Sequence, residues 1–243
     1  MTERLDGRTI LITGANGGLG QEFVRQGLDR GARRVYAAAR TPRTWDDDRV
    51  VPLRLDLTDA ATIADAAASA SDVDLVVNNA AIAPEADRTL LSGDDDVARS
   101  IFETNVLGPV RVTKAFAPVL AAHGGGAILN VLSLAAWTPV PTAYAASKAA
   151  AWSASNAMRI ELAAQGTTVT GLIVGMIDTA MGARFDLPKS NPADVVAQAY
   201  DGVATGAFEV LADEDSRTVK SLLSGPVEAV DAVLADALAA IAS

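Results

Sequence analysis

The sequence contains no cysteine and a single histidine, His123. Without cysteine there is no disulfide, no thiol nucleophile and no thiolate metal site, and one histidine among scattered aspartates cannot assemble a zinc centre. No metal is therefore expected. Positive charge is also scarce: the chain of 243 residues carries a formal charge of −10, which repels polyanions and argues against nucleic acid or an anionic membrane as partner. No apolar run approaches the ~20 residues of a membrane span, and no Pro/Ser-rich linker or internal repeat divides the chain. The polar start Met1-Thr2-Glu3-Arg4 does not read as a signal peptide. A single domain over residues 1–243 and a cytoplasmic location are the expectations, with half the composition apolar and so able to bury a large core. The runs Asp46-Asp47-Asp48 and Asp94-Asp95-Asp96 read as solvated turns, the second well placed to begin a helix. His123, just before Gly124-Gly125-Gly126, reads as a helix C-terminal residue.

The most informative residues present are Tyr144 and Lys148 in Tyr144-Ala145-Ala146-Ser147-Lys148. Four-residue spacing stacks a phenol and an ammonium on one helix face. A free tyrosine has a pKa of about 10, and a neighbouring cation favours its phenolate, bringing it toward the range of general acid–base catalysis. A solvated surface pair would match the same spacing, so the pair gains meaning only from the rest of the chain.

The rest of the chain supplies a cofactor motif. Arg8-Thr9-Ile10-Leu11-Ile12-Thr13 is a short β-branched run that leads into Gly14-Ala15-Asn16-Gly17-Gly18-Leu19-Gly20 and then a helical pattern through Phe23, Val24 and Leu28. Strand, glycine turn and helix in that order form a dinucleotide site, because the turn allows close backbone approach and the helix start offers free N–H groups to a pyrophosphate.

Thr13-Gly14 followed by Gly18 and Gly20, Asn78-Asn79-Ala80 after a strand, and Tyr144 four residues before Lys148 together resemble the short-chain dehydrogenase/reductase family, in its short single-domain branch. The resemblance spans residues 7 to about 182. It implies an α/β fold, a single-domain Rossmann-type doubly wound parallel sheet of about seven strands with helices on both faces. It also implies binding of a nicotinamide dinucleotide by Thr13, Gly14, Asn16, Gly18, Leu19 and Gly20, with Asp56 and Leu57 at the adenine, Asn79 and Ala80 along the adenosine and ribose, and Ile177 and Thr179 at the carboxamide. At the end of the second strand the chain has Ala39, where NAD-preferring members carry aspartate, and then Arg40. A guanidinium suits the 2′-phosphate, so NADP(H) is expected over NAD(H), with Arg40 as reader and Arg43 as helper.

For the reacting centre the resemblance assigns Asn105, Ser133, Tyr144 and Lys148. The Asn105 amide, in a helical stretch from about Val97 to Ala122, is expected to tie a water to the lysine. The Ser133 hydroxyl is expected to hold a substrate oxygen, and Lys148 to lower the Tyr144 pKa and reach the nicotinamide ribose. Three positions depart from the family pattern: Ala81 for glycine, Leu132 for the first of two serines, and Val174 for proline. The substrate pocket is expected from Ala135, Trp137, Met181 to Pro188 and Ile82 to Pro84, mostly apolar, with Arg184 its sole cation. The tail strand Ala207 to Ala212 is expected at the sheet edge with a final helix from about Val227 over it, and alanine faces near Ala145 and Ala149 suggest a homodimer or homotetramer. The expected function is an NADPH-dependent carbonyl reductase or secondary-alcohol dehydrogenase with a small, apolar ketone or alcohol as substrate. The alternatives are a catalytically silent NADP(H)-binding sensor or scaffold, or a reductase of C=C or C=N bonds.

Overall fold

The computed structural model describes residues 5–233 and 235; residues 1–4, 234 and 236–243 lie outside them. Strand β1 (Thr9–Thr13) is buried at every position, as a strand covered on both faces must be. Its side chains still divide by parity. Ile10 and Ile12 enter one core with Phe23, Val195 and Tyr200, whereas Leu11 enters another with Ile63, Val112 and Phe116. The first core lies under helices α1 (Gly18–Asp29) and α6 (Pro192–Ala204). The second lies under α2 (Ala60–Ser69) and α4 (Gly108–Ala122).

Seven parallel strands make one sheet. With β2 (Arg34–Ala39), β3 (Val50–Arg54), β4 (Leu75–Asn78), β5 (Gly126–Val131), β6 (Thr167–Ile173) and β7 (Glu209–Leu211), the order is β3-β2-β1-β4-β5-β6-β7. The expected doubly wound sheet and its edge strand near Ala207–Ala212 are thus present. Winding reverses between β1 and β4, and such a switch point opens a crevice beyond the carboxyl ends of the strands. The 3-10 turn Leu134–Trp137 and helix α5 (Ala143–Glu161) follow β5, delivering Ser133 and Tyr144 to that crevice.

Two local features bear on function. First, α2, α3 (Asp95–Phe102), α5, α6 and α7 (Glu214–Leu222) are capped by the side chains of Asp59, Asp94, Thr142, Asn191 and Asp213. Helix α1 is not: its N-cap is Gly17, with no side-chain hydrogen bond and no acid in the first turn. Second, the helical stretch expected from Val97 to Ala122 starts at Asp95 and is broken by a π turn over Glu103–Leu107. Pro109 explains much of the break, since it has no N–H to give the Asn105 carbonyl four residues back. The described part of the C-terminal helix differs from expectation: its Val230 packs with Leu134 and Val219, because the apolar groove between the 3-10 turn and α7 lies open to it there.

Candidate active site

A cleft of about 1800 Å3 runs along the carboxyl ends of the strands, from Arg40 at one end to Arg184 at the other. Its floor is the glycine turn. Gly14 has φ of 68°, and a side chain there would meet Ala80 at 3.0 Å; a Cβ on Gly20 would fall 2.2 Å from the Gly14 carbonyl oxygen. Backbone therefore packs on backbone, and the uncapped start of α1 faces the cleft with Gly18, Leu19 and Gly20. Unspent N–H groups and a positive helix end fit a pyrophosphate. Asn16, also on this wall, ties its amide to the Thr41 carbonyl at 2.8 Å, and its Oδ1 is buried with no partner.

Thr13 and Asn79 reach the same cleft but spend their side chains on bracing it. The Thr13 hydroxyl accepts the N–H groups of Asn79 (3.0 Å) and Ala80 (3.1 Å), and the Asn79 amide donates to the Thr13 carbonyl at 2.9 Å. Asp56 and Leu57 line the adjoining wall. The Asp56 carboxylate accepts the Thr58 N–H at 2.9 Å and hydroxyl at 2.8 Å. That backbone bond, then the hydroxyl and the Arg40 charge, hold its pKa below the ordinary value. Arg40 is exposed on the cleft wall. Arg43 is not with it: the guanidinium stacks over the Trp45 ring, 4.0 Å from the centroid, a better site for a planar cation than open water.

At the reacting centre Ser133, Tyr144 and Lys148 converge on the cleft. The Ser133 oxygen accepts the Ala135 N–H at 3.1 Å, which turns its hydroxyl toward Tyr144. Lys148 is buried, donates to the Val131 carbonyl at 3.0 Å, and sits over the Tyr144 ring 5.6 Å from its centroid. Burial lowers its pKa to about 8. The phenol departs from expectation. Its pKa is raised, because loss of water around the hydroxyl outweighs the Ser133 hydrogen bond and the Arg184 charge, which both favour the phenolate. One edge of the ring still faces the cleft. The ammonium lies against the ring and on a carbonyl rather than at the phenol oxygen, so the expected lowering by Lys148 is absent.

Asn105 also differs from its expected use. The side chain is buried and engaged: Oδ1 accepts the Ile82 N–H at 2.8 Å, and Nδ2 donates to the Ile82 carbonyl at 2.9 Å and to Ser147 Oγ at 3.1 Å. Its amide thus staples the loop after β4 to α5 and is not free to hold a water. A cavity of about 20 Å3 does lie beside it, lined by Asn105, Pro109, Lys148 and Asn78. Asn78 Oδ1 is buried without a partner, and the space suffices for one water.

The substrate end is lined by Ala135, Ile82, Ala83 and the segment from Met181 to Pro188, with Arg184 among them. Trp137 is elsewhere, edge-on to Trp152 at 5.9 Å and under the Lys220 ammonium, since the 3-10 turn rotates it away from the cleft. Ile177 and Thr179 stand where this segment begins, and Thr179 packs on Gly18. Asp213 ties the segment down: its Oδ2 accepts the Gly175 N–H at 2.6 Å, and its Oδ1 caps α7 at Ser216. Three cleft residues carry no signal in the sequence. Thr138 has a buried hydroxyl with no partner, Val140 adds apolar wall, and Asp87 binds the start of α5. Each stands in an irregular loop without a motif.

Residues 8–189 match the short chain dehydrogenase family model. The chain belongs to the short-chain dehydrogenase/reductase family. A short chain dehydrogenase from Burkholderia cenocepacia, solved with NADP, superposes with a TM-score of 0.87 at 34% identity, covering 95% of this chain and 99% of that one. A galactitol 2-dehydrogenase (L-tagatose-forming) of Cereibacter sphaeroides is 34% identical over 191 residues, 73% of this chain and 74% of the relative. A short chain dehydrogenase of Pseudocercospora fijiensis is 31% identical over 197 residues, 75% of this chain but only 64% of the relative's length. As a family member the chain is an oxidoreductase of alcohols and carbonyls. Two of its departures from the family pattern are absorbed by packing. Leu132 is buried against Gly171, and Val174 joins the core beneath α6.

Proposed function

We propose that this short-chain dehydrogenase is an NADP(H)-dependent carbonyl reductase, and in reverse a secondary-alcohol dehydrogenase, for an apolar ketone or alcohol. The observation that carries the reading is the convergence of the Ser133 hydroxyl, the Tyr144 phenol and the buried Lys148 on one cleft that also holds the uncapped start of α1. A nicotinamide dinucleotide supplies the hydride when bound. Gly14, Gly18, Leu19 and Gly20 receive its pyrophosphate, and Arg40, which makes no ion pair among the described residues, reads the 2′-phosphate. Asp56, Leu57, Asn79 and Ala80 flank the adenosine end; Ile177 and Thr179 flank the carboxamide.

Ser133 holds the substrate oxygen by hydrogen bond, and Tyr144 gives that oxygen a proton as negative charge builds on it. A raised phenol pKa keeps the proton on Tyr144 at neutral pH, the state needed for reduction. The Ser133 bond and the Arg184 charge offset part of the rise and so strengthen the acid. Lys148, held on the Val131 carbonyl, keeps a cation beneath the ring and within reach of a ribose. The protein is further proposed to be a cytoplasmic single domain that forms a homodimer or homotetramer. Exposed Leu107 and Ile160 on the outer helices are consistent with subunit contact, and among the described residues no helix is long and apolar enough to cross a membrane.

Oxidation of NADPH and of NADH with a panel of aryl and alkyl ketones tests this. Turnover with NADPH is expected to fall by at least about 100-fold in Tyr144→Phe, and Arg40→Ala is expected to lose roughly tenfold of the preference for NADPH. Tight dinucleotide binding without turnover would overturn the reductase in favour of a sensor.

A further inference from the structure

The loop between β4 and α3 crosses the mouth of the cleft and touches both of its halves. At its start Asn79 and Ala80 brace the glycine turn through Thr13, and Ile82 is stapled through Asn105 to Ser147 on α5. Further along, Leu90 donates to the Pro141 carbonyl at 2.8 Å, and Thr89 bridges Thr142. Between these two attachments stands Asp87. Its Oδ1 accepts the Ala143 N–H at 3.1 Å and its Oδ2 accepts the Tyr144 N–H at 2.9 Å. Ala143 and Tyr144 are the first two residues of α5, and their N–H groups have no partner within a helix. Thr142 already caps α5 by accepting the third, from Ala145, at 3.2 Å.

A second cap on an already capped helix is more than helix formation needs. Both carboxylate oxygens are spent on two adjacent peptide groups, and one of these belongs to the residue whose phenol faces substrate. The negative charge is also well placed at a helix N-terminus. A fork of this kind fixes orientation as well as position, because two parallel bonds resist the rotation that one bond permits. The neighbours Glu85 and Arg88 are exposed, so within this stretch it is Asp87 whose charge turns inward onto α5.

We propose that Asp87 is a positioning residue for Tyr144. Acting through the Ala143 and Tyr144 N–H groups, it transmits the placement of the loop that starts at the glycine turn and crosses the cleft mouth to the phenol at the reacting centre. The inference rests on the reading of Tyr144 as the proton donor. Asparagine in its place keeps one acceptor and turns an NH2 group toward the second N–H, so it retains half the fork; alanine retains none.

Amide exchange in the protein without added substrate tests the clamp directly. In Asp87→Ala the Ala143 and Tyr144 amides are expected to exchange about tenfold faster or more, in Asp87→Asn by an intermediate factor, while the Ala145 amide held by Thr142 is unchanged. Steady-state kinetics test the positioning role. A fall in kcat of about tenfold is expected in Asp87→Ala, with partial recovery in Asp87→Asn and an unchanged KM for NADPH. Thr142→Ala loosens the same helix start without touching the Tyr144 N–H, and should leave kcat within about twofold. Unchanged exchange at 143 and 144 in Asp87→Ala would overturn the clamp. An equal loss of kcat in Thr142→Ala would reduce Asp87 to an ordinary helix cap and overturn the positioning role. A wild-type protein that turns over no carbonyl compound would sink the reductase reading alone, since the exchange comparison decides the clamp without turnover.

Discussion

Lys148 offers a thermodynamic check that needs neither cofactor nor substrate. Burial takes its pKa from 10.5 to about 8. Because the folded value lies below the unfolded one, between pH 8 and 10.5 the unfolded chain binds more protons and stability rises with pH across that window. Below the folded pKa both states hold the proton, and the folded state bears the full penalty of a desolvated ammonium. At ~1.4 kcal/mol per pH unit the gap corresponds to roughly 3 kcal/mol. Lys148→Met keeps the stem and removes the charge, at the cost of one hydrogen bond to the Val131 carbonyl, itself about 1 kcal/mol. At pH 7 the variant is therefore expected to be the more stable by about 2 kcal/mol. Between pH 7 and 10 the wild type should gain roughly 2.5 kcal/mol relative to it. Urea unfolding of both proteins across that range measures the difference, and other titrating groups cancel in the comparison. A difference that stays flat with pH, or that moves in favour of the variant, would show that Lys148 is solvated and that the site is less dry than its geometry indicates.

Two further perturbations follow from distances and charges in the cleft. Gly20→Ala places a Cβ 2.2 Å from the Gly14 carbonyl oxygen, so the turn must open; unfolding should show a loss of more than about 2 kcal/mol, and fluorescence titration should show NADP+ affinity reduced at least tenfold. Near-normal values for both would mean that the turn is looser than its packing implies. Arg184→Gln removes a charge that lowers the Tyr144 pKa, so the alkaline limb of the pH–rate profile should move to higher pH; a shift to lower pH would refute the role given to that cation.

What could be read in the sequence was local or periodic. Strand β1, the glycine turn and the start of α1 are contiguous, so Thr13, Gly14 and Gly20 declared themselves by type and spacing. The Asp94 run announced a helix start in the same way. Tyr144 and Lys148 were legible as neighbours because a helix fixes what lies one turn away, but the direction of the phenol pKa was not, since it depends on how much water the assembled walls remove. Arg43 and Trp45 are two residues apart, yet their stacking is a rotamer choice that competes with the cleft and wins. Asn105 was found by its place in a motif, while its partners Ile82 and Ser147 are 23 and 42 residues away. Asp87 lies 57 residues from Tyr144 in a loop with no pattern, and only the closed sheet brings them together. Trp137 shows the converse: four residues after Ser133 it was expected in the pocket wall, and a single 3-10 turn carries it away from the cleft onto Trp152.

The π turn at Glu103–Leu107 amounts to one surplus residue carried inside a long helix. That residue shifts the phase between Asp95–Phe102 and Gly108–Ala122 by about 100°, the rotation per residue of an ordinary helix. Removing any one of the five would take out that rotation while Pro109 still withholds its N–H, so the break would persist in part and Asn105 would swing off Ile82 and Ser147. The number of residues in this stretch therefore sets the site geometry. A shorter segment would lose the loop's attachment to α5, so the length of this stretch, more than the identity of most of its residues, is what the site requires.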